Sequence, residues 1–153
     1  MVTNRPVIDL DADPFIPDGW DVWVQHIGDG QLEWNPYAVE LYLSPNQQGE
    51  KMIEGWVLRE ELRGRPVFNA NLLDYLLANP QLIPENWKGW QVFFWGTTYR
   101  HPYGGLCIRS LYSLGNRWFW DHDWLESGWR GNYLAAVRLY PDEIRSKGGV
   151  IYP

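Results

Sequence analysis

The chain has 153 residues, a formal net charge of −6, 45% hydrophobic residues and a 16% aromatic fraction that includes eleven tryptophans. Its one cysteine, Cys107, excludes an internal disulfide and an all-cysteine zinc site, and no run reaches the roughly 18 apolar residues of a membrane span. A single globular domain over 1–153 is expected, long enough to bury roughly two-thirds of its unfolded surface.

Charge is unevenly spread: residues 1–62 carry twelve carboxylates against Arg5, Lys51 and Arg59, whereas residues 63–153 are net basic. The arginines are spaced singly, so clustered phosphate recognition is not indicated, and neither nucleic acid nor membrane is an expected partner. The N-terminus lacks the apolar stretch of a secretory signal, which together with the lone cysteine predicts a cytoplasmic protein.

In chain order, an acidic arm covers about 1–18. Asp9, Asp11 and Asp13 alternate as in a calcium loop, but Pro14 and Trp20 stand where such a loop needs Gly and Glu, so the arm reads as solvated. Trp20 to Ile27 predicts a strand, Gly28-Asp29-Gly30 a turn, and Leu32 to Trp34 and Val39 to Leu43 further strands of one antiparallel subsheet. Ser44-Pro45-Asn46-Gln47 predicts a short capped turn. A helix over about 50–63 would place Met52, Ile53, Trp56 and Val57 on its apolar stripe. A second helix starts at Asn69 or Asn71, carries Leu72, Leu73, Leu76 and Leu77 on its apolar face, and stops at Pro80.

A three-stranded meander follows, with strands at 91–99, 106–113 and 117–124. A two-residue turn at Gly115-Asn116 sets Leu111 opposite Trp120, Arg109 opposite His122 and Cys107 opposite Trp124. Residues 132–140 predict a last strand and 141–153 an irregular tail. The fold class is therefore α+β: a mostly antiparallel sheet including the meander at about 91–124, with two short helices packed on one face.

The stretch Asn69-Ala-Asn-Leu-Leu-Asp-Tyr-Leu-Leu-Ala-Asn-Pro-Gln-Leu-Ile-Pro-Glu-Asn-Trp-Lys-Gly89, with Val92-Phe-Phe-Trp-Gly-Thr-Thr-Tyr-Arg100, resembles a family of short uncharacterised bacterial proteins. The likeness covers about half the chain. It implies a bacterial intracellular domain and brings no activity, ligand or catalytic residue with it.

Two constellations invite function. Asp121 and Asp123 share one face of a strand, at a spacing compatible with acid and base in glycoside cleavage and equally with a solvated strand. His122, between tryptophans on the opposite face, would complete a small hydrolase site; no histidine spacing indicates a metal, and no cofactor motif is present. Trp20, Trp34, Trp87, Trp90 and Trp129 fall at element ends or in polar loops, with Arg130 beside them, where full burial is less expected than for Trp56, Trp95 or Trp120. The expected function is a non-catalytic aromatic-rich module that binds a protein partner or its own copy. The alternatives are a carbohydrate-binding domain with Trp stacking platforms and a small hydrolase using Asp121 and Asp123.

Overall fold

The computed structural model describes residues 5–20 and 22–151; the first four residues of the arm and the last two of the tail lie outside the described residues. The strands are β1 (Val7–Asp9), β2 (Val22–His26), β3 (Gln31–Glu33), β4 (Val39–Tyr42), β5 (Ile53–Glu54), β6 (Gln91–Phe93), β7 (Thr97–Arg100), β8 (Leu106–Leu114), β9 (Arg117–Trp124), β10 (Gly128–Trp129) and β11 (Tyr133–Arg138). The helices are α1 (Gly55–Leu62), α2 (Ala70–Ala78) and α3 (Pro141–Ser146).

One curled, mostly antiparallel sheet dominates, so the fold is α+β as its sequence predicts. Its spine is β8. The β8–β9 hairpin has the register set by a two-residue turn, with Leu111 opposite Trp120, Arg109 opposite His122 and Cys107 opposite Trp124. On its other side β8 pairs with both β6 and β7, through Val92↔Leu111 and Tyr99↔Cys107. The predicted strand over 91–99 is thus two strands, broken at residues 94–96. Beyond the break the sheet forks: β7 leads to β2, and β6 leads through a parallel pairing to β11 and then antiparallel to β4.

The break has a steric cause. Gly96 passes so close to the start of α2 that an added Cβ would sit 2.8 Å from the Cα and N of Asn69. Its N–H donates to the Phe68 carbonyl at 2.9 Å, and its own carbonyl accepts from Ile27 N–H at 2.7 Å. Backbone groups that a straight strand would offer to a neighbour are here given to the α2 entry and to the end of β2.

Alternation along Val92-Phe93-Phe94-Trp95 feeds apolar side chains to both faces of the sheet. Val92 and Phe94 join Leu111, the α2 leucines Leu72, Leu73 and Leu76, and Trp34 and Trp87. Phe93 and Trp95 join Ile108, Trp129 and the α1 residues Leu58 and Leu62. The two helices therefore take opposite faces instead of sharing one: a central strand apolar on both sides needs a cover for each.

Several local expectations change. The predicted helix over 50–63 begins only at Gly55, and its buried residues are Gly55, Leu58 and Leu62, which leaves Met52, Trp56 and Val57 exposed. Its first turn is fixed by Gly55, where a Cβ would fall 2.7 Å from the Leu125 carbonyl oxygen. The early strands do not form one subsheet: β2 pairs with β7, β3 with β1 and β4 with β11. Nor is the arm simply solvated, because Ile8 and Leu10 are buried in the α2-side core. The Asp9 carboxylate accepts from Asp11 N–H and Gln31 Nε2, and Asp11 accepts from Gly30 N–H, so these groups hold turns. The tail contains α3, which buries Ile144 against Ala38 and Leu139.

Asn69 joins three of these segments. Its Oδ1 accepts from Asn71 N–H and caps α2, while Nδ2 donates to the carbonyls of Leu10 at 2.8 Å and Ile27 at 2.9 Å. Asn69→Ala removes a cap worth about 1 kcal/mol and strands the buried Leu10 carbonyl at about 1–3 kcal/mol, so a loss of at least about 2 kcal/mol is expected in urea unfolding. Asn69→Asp keeps the capping acceptor but not the donors; it is expected to recover little of that loss.

Candidate functional site

The even-numbered residues of β9 place Trp118, Trp120, His122 and Trp124 on the face shared with α2. Trp118 and Trp120 pack on the α2-side core, whereas Trp124 sits with Tyr99 and Cys107. The 101–105 loop and the end of the arm then bring His101, Tyr103, Phe15 and Trp20 to the same place. The Trp20 ring meets Tyr99, His101, Trp120 and His122 edge to face, at centroid separations of 5.4, 5.1, 5.6 and 5.2 Å. His101 stacks on His122 at 5.1 Å and also meets Tyr103 at 5.0 Å, the planes inclined by about 30° in each case.

This cluster opens to solvent at its rim. Tyr103 is 90% exposed and Phe15 52% exposed, while Trp20, His101, His122 and Trp124 are half-buried. Phe15 is tied down by its carbonyl, which accepts from the Tyr99 hydroxyl at 2.8 Å. Beneath it lies Arg109, only 1% exposed, whose two terminal nitrogens each donate to Asp74 at 2.8 Å and whose guanidinium carbon lies 4.4 Å from the Trp120 ring centre. Burial opposes the charge on Arg109, but the Asp74 carboxylate more than restores it, so its pKa is raised. An ion pair fixed from α2 to β8 thereby sets the floor on which the rings rest.

Two imidazoles are held neutral. Burial lowers the pKa of His122; Asp121 opposes this and the His101 ring adds to it. Burial likewise lowers that of His26, against smaller opposing contributions from the Ala12 carbonyl, Asp13 and Asp11. The bonds of His26 suit the neutral ring: Nε2 donates to the Ala12 carbonyl at 3.0 Å, and Nδ1 accepts from the Thr97 hydroxyl at 2.8 Å, whose oxygen in turn accepts Ala70 N–H. Cys107 is fully buried, and burial pushes its thiol up to about 12, which leaves no thiolate for nucleophilic work near neutral pH.

The predicted site residues separate. Trp20, Asp121, His122 and Asp123 lie in or beside the cluster. Trp34, Trp87 and Trp129 are buried core, Trp129 donating its indole N–H to the Trp124 carbonyl. Trp90 is 40% exposed next to β6, and Arg130 lies beside Met52, its Nε 3.5 Å from the sulfur. Asp121 and Asp123 point to the opposite face from His122, and each carboxylate accepts the backbone N–H of the following residue at 2.7 Å. In the β8–β9 register those two N–H groups, of His122 and Trp124, face away from β8 toward the open edge of the sheet. The aspartates therefore occupy two outward N–H groups at the C-terminal end of β9. Phe15, His101 and Tyr103 entered the cluster unannounced: each comes from a loop far from β9 in sequence, and no spacing ties them to it.

The fold and the cluster together define a sheet-dominated α+β protein with a half-open nest of indole, phenol and imidazole rings over a buried arginine paired with a half-buried aspartate. No family model, curated protein or solved structure matches this chain.

Two outcomes follow for stability. With the unfolded imidazole value at 6.5 and both folded values below it, the unfolded chain takes up protons first, so stability falls as pH drops from about 6.5 toward the folded values. The melting temperature is expected to decline between pH 7 and pH 5, and less steeply in His122→Gln; a wild-type midpoint that rises over that interval contradicts the assignment. Asp74→Leu is expected to cost about 3 kcal/mol by leaving the Arg109 charge buried and unpaired, while the double replacement Asp74→Leu/Arg109→Leu costs less in the same denaturant titration.

Proposed function

We propose that this chain is a non-catalytic binding module whose aromatic and imidazole nest receives a protein partner or a second copy of itself. The observation that carries this reading is the outward stack of Tyr103, His101 and His122 beside Trp20 and Phe15. Rings held by one another and by a buried ion pair lose little entropy on contact, and Tyr and Trp anchors of this kind concentrate binding energy in protein interfaces. The polar nitrogens of the half-buried rings supply direction. The resemblance of residues 69–89 and 92–100 to short bacterial proteins supports a bacterial origin, and the lone buried Cys107 supports a reducing, cytoplasmic setting.

The other readings find less support. Trp20 meets its neighbours edge to face, which occupies its rim with protein and does not lay indole planes side by side as a sugar platform would. Asp121 and Asp123 already serve backbone N–H groups, and the clefts beside Trp95, Leu139 and Trp87 do not include them.

A photo-crosslinking phenylalanine derivative placed at position 103 in cells tests the proposal. A discrete adduct is expected, at twice the chain mass if the partner is another copy, and absent when the same group replaces Val7, exposed on β1. Equal, diffuse labelling from both positions would remove the nest as a recognition surface.

A further inference from the structure

The outer strands of the main sheet differ in how they meet solvent. On β9 two outward N–H groups are taken by Asp121 and Asp123, and β2 carries a bulge between Trp23 and Gln25, a break in register that hinders strand addition. β4 has neither device. Which of its backbone groups point outward follows from β11. On one side of β11 the Ala136 carbonyl accepts from Phe68 N–H at 2.9 Å and Arg138 N–H donates to the Pro66 carbonyl at 2.7 Å; on the other, Leu139 N–H donates to the Ala38 carbonyl at 2.8 Å. In the register Val137↔Glu40 and Ala135↔Tyr42, Glu40 and Tyr42 therefore turn their backbone groups to β11, and Val39, Leu41 and the following Leu43 turn theirs away.

These outward groups are open. Val39 N–H goes to the Pro36 carbonyl, but the Val39 carbonyl and both backbone groups of Leu41 and Leu43 take no hydrogen bond among the described residues. Val39, Leu41 and Leu43 are half-buried, and beside the strand lies a groove of about 510 Å³ lined by Tyr37, Val39, Leu41, Pro84, Trp87 and Lys147. The side chains of Val39 and Leu41 pack toward the α2-side core and that of Tyr42 toward the α1-side core. On the Tyr42 side, the Arg65 guanidinium lies 4.2 Å from the Tyr42 ring centre and has no carboxylate partner among the described residues. Glu40, two residues away, shares the Tyr42 face; its Oε2 accepts from Lys147, and its Oε1 takes no hydrogen bond among the described residues.

We infer that β4 pairs with β4 of a second copy of this chain, antiparallel about a two-fold axis at Leu41. The open groups suit this pairing: Leu41 exchanges both bonds with its counterpart, and each Leu43 N–H donates to the Val39 carbonyl of the other copy, where the occupied Val39 N–H is not required. On the face of Val39 and Leu41, Leu41 meets itself across the axis and Val39 meets Leu43, so half-exposed apolar side chains are covered. On the other face Glu40 comes opposite Tyr42, which brings a carboxylate to the Arg65 stacked there, once on each side of the axis. A peptide of arbitrary sequence would satisfy the backbone but not this charge match. Because both copies use the same strand, the assembly closes as a dimer. It shares no residue with the aromatic nest and leaves that surface free for a further partner.

Sedimentation velocity of the whole protein across concentration tests this. A monomer–dimer equilibrium is expected, and Leu41→Lys, which sets two ammonium groups face to face at the axis, is expected to be monomeric throughout. Arg65→Glu, at an exposed position, weakens the dimer at least about tenfold, whereas Arg117→Glu on β9 and Tyr103→Ala in the nest leave it unchanged. Thermal melts of the variants show that they fold, and if Leu41→Lys does not, Arg65→Glu decides. Residues paired in this way have Cα atoms about 5.5 Å apart, so Leu41→Cys is expected to give a disulfide-linked dimer on mild oxidation, and Val24→Cys, exposed on β2, is not; the native Cys107 is fully buried. A monomer at every concentration up to roughly 1 mM, or a dimer indifferent to both Leu41→Lys and Arg65→Glu, overturns the inference. A dimer lost in Tyr103→Ala but kept in Leu41→Lys also overturns it, and moves self-association to the nest.

Discussion

The amide of Asn69 is the constraint on which the rest depends. Buried and with both donor hydrogens committed, it fixes the arm at Leu10, the end of β2 at Ile27 and the first turn of α2 in one geometry. Its backbone is also what Gly96 passes against, so the break between β6 and β7 and the fork of the sheet trace to the same residue. A buried amide with every donor satisfied specifies one arrangement over compact alternatives, because any slip of a segment leaves a polar atom unpaired in the interior.

From that junction the two faces of the sheet acquire different characters. The α1 face closes over an aromatic core, with Phe93, Trp95, Trp129 and Tyr133 ring to ring at 4.3–5.3 Å. The α2 face closes fully only near the leucines; farther along β9 the cover is the arm itself, and there the Arg109–Asp74 pair replaces hydrocarbon beneath the rings. A charged pair in such a position adds little net stability compared with apolar packing, yet it dictates where Trp120 and Phe15 lie. The tryptophan surplus is thus divided between filling the interior and shaping a rim.

How much of this the sequence discloses depends on the range of the interactions involved. The β8–β9 register follows from two turn residues and a period of two, and α2 from its cap, leucine spacing and Pro80, so both are legible locally. The break at Gly96 is not, because Val92-Phe-Phe-Trp-Gly-Thr-Thr-Tyr reads as one uninterrupted strand until Asn69 is brought against it. The α1 stripe misleads for a related reason: Trp56 and Val57 look like core, but the partner surface supplied by Leu125 and Trp129 selects Gly55, Leu58 and Leu62. Trp34, Trp87 and Trp129 sit in polar sequence and are buried by segments distant along the chain. The His101–His122 stack arises the same way, from a loop whose approach to β9 no spacing records.

The two occupied N–H groups at the end of β9 bear on how this border would meet another strand. An exposed strand with free N–H groups invites another strand to add to it, and repeated addition propagates without limit. Here the outward N–H groups of His122 and Trp124 are taken by the carboxylates of the residues before them, which also present negative charge along that border. A second strand approaching this stretch of the border would find two backbone donors already taken and two carboxylates beside them. The aspartates thus make this stretch of the edge a poor template for strand addition.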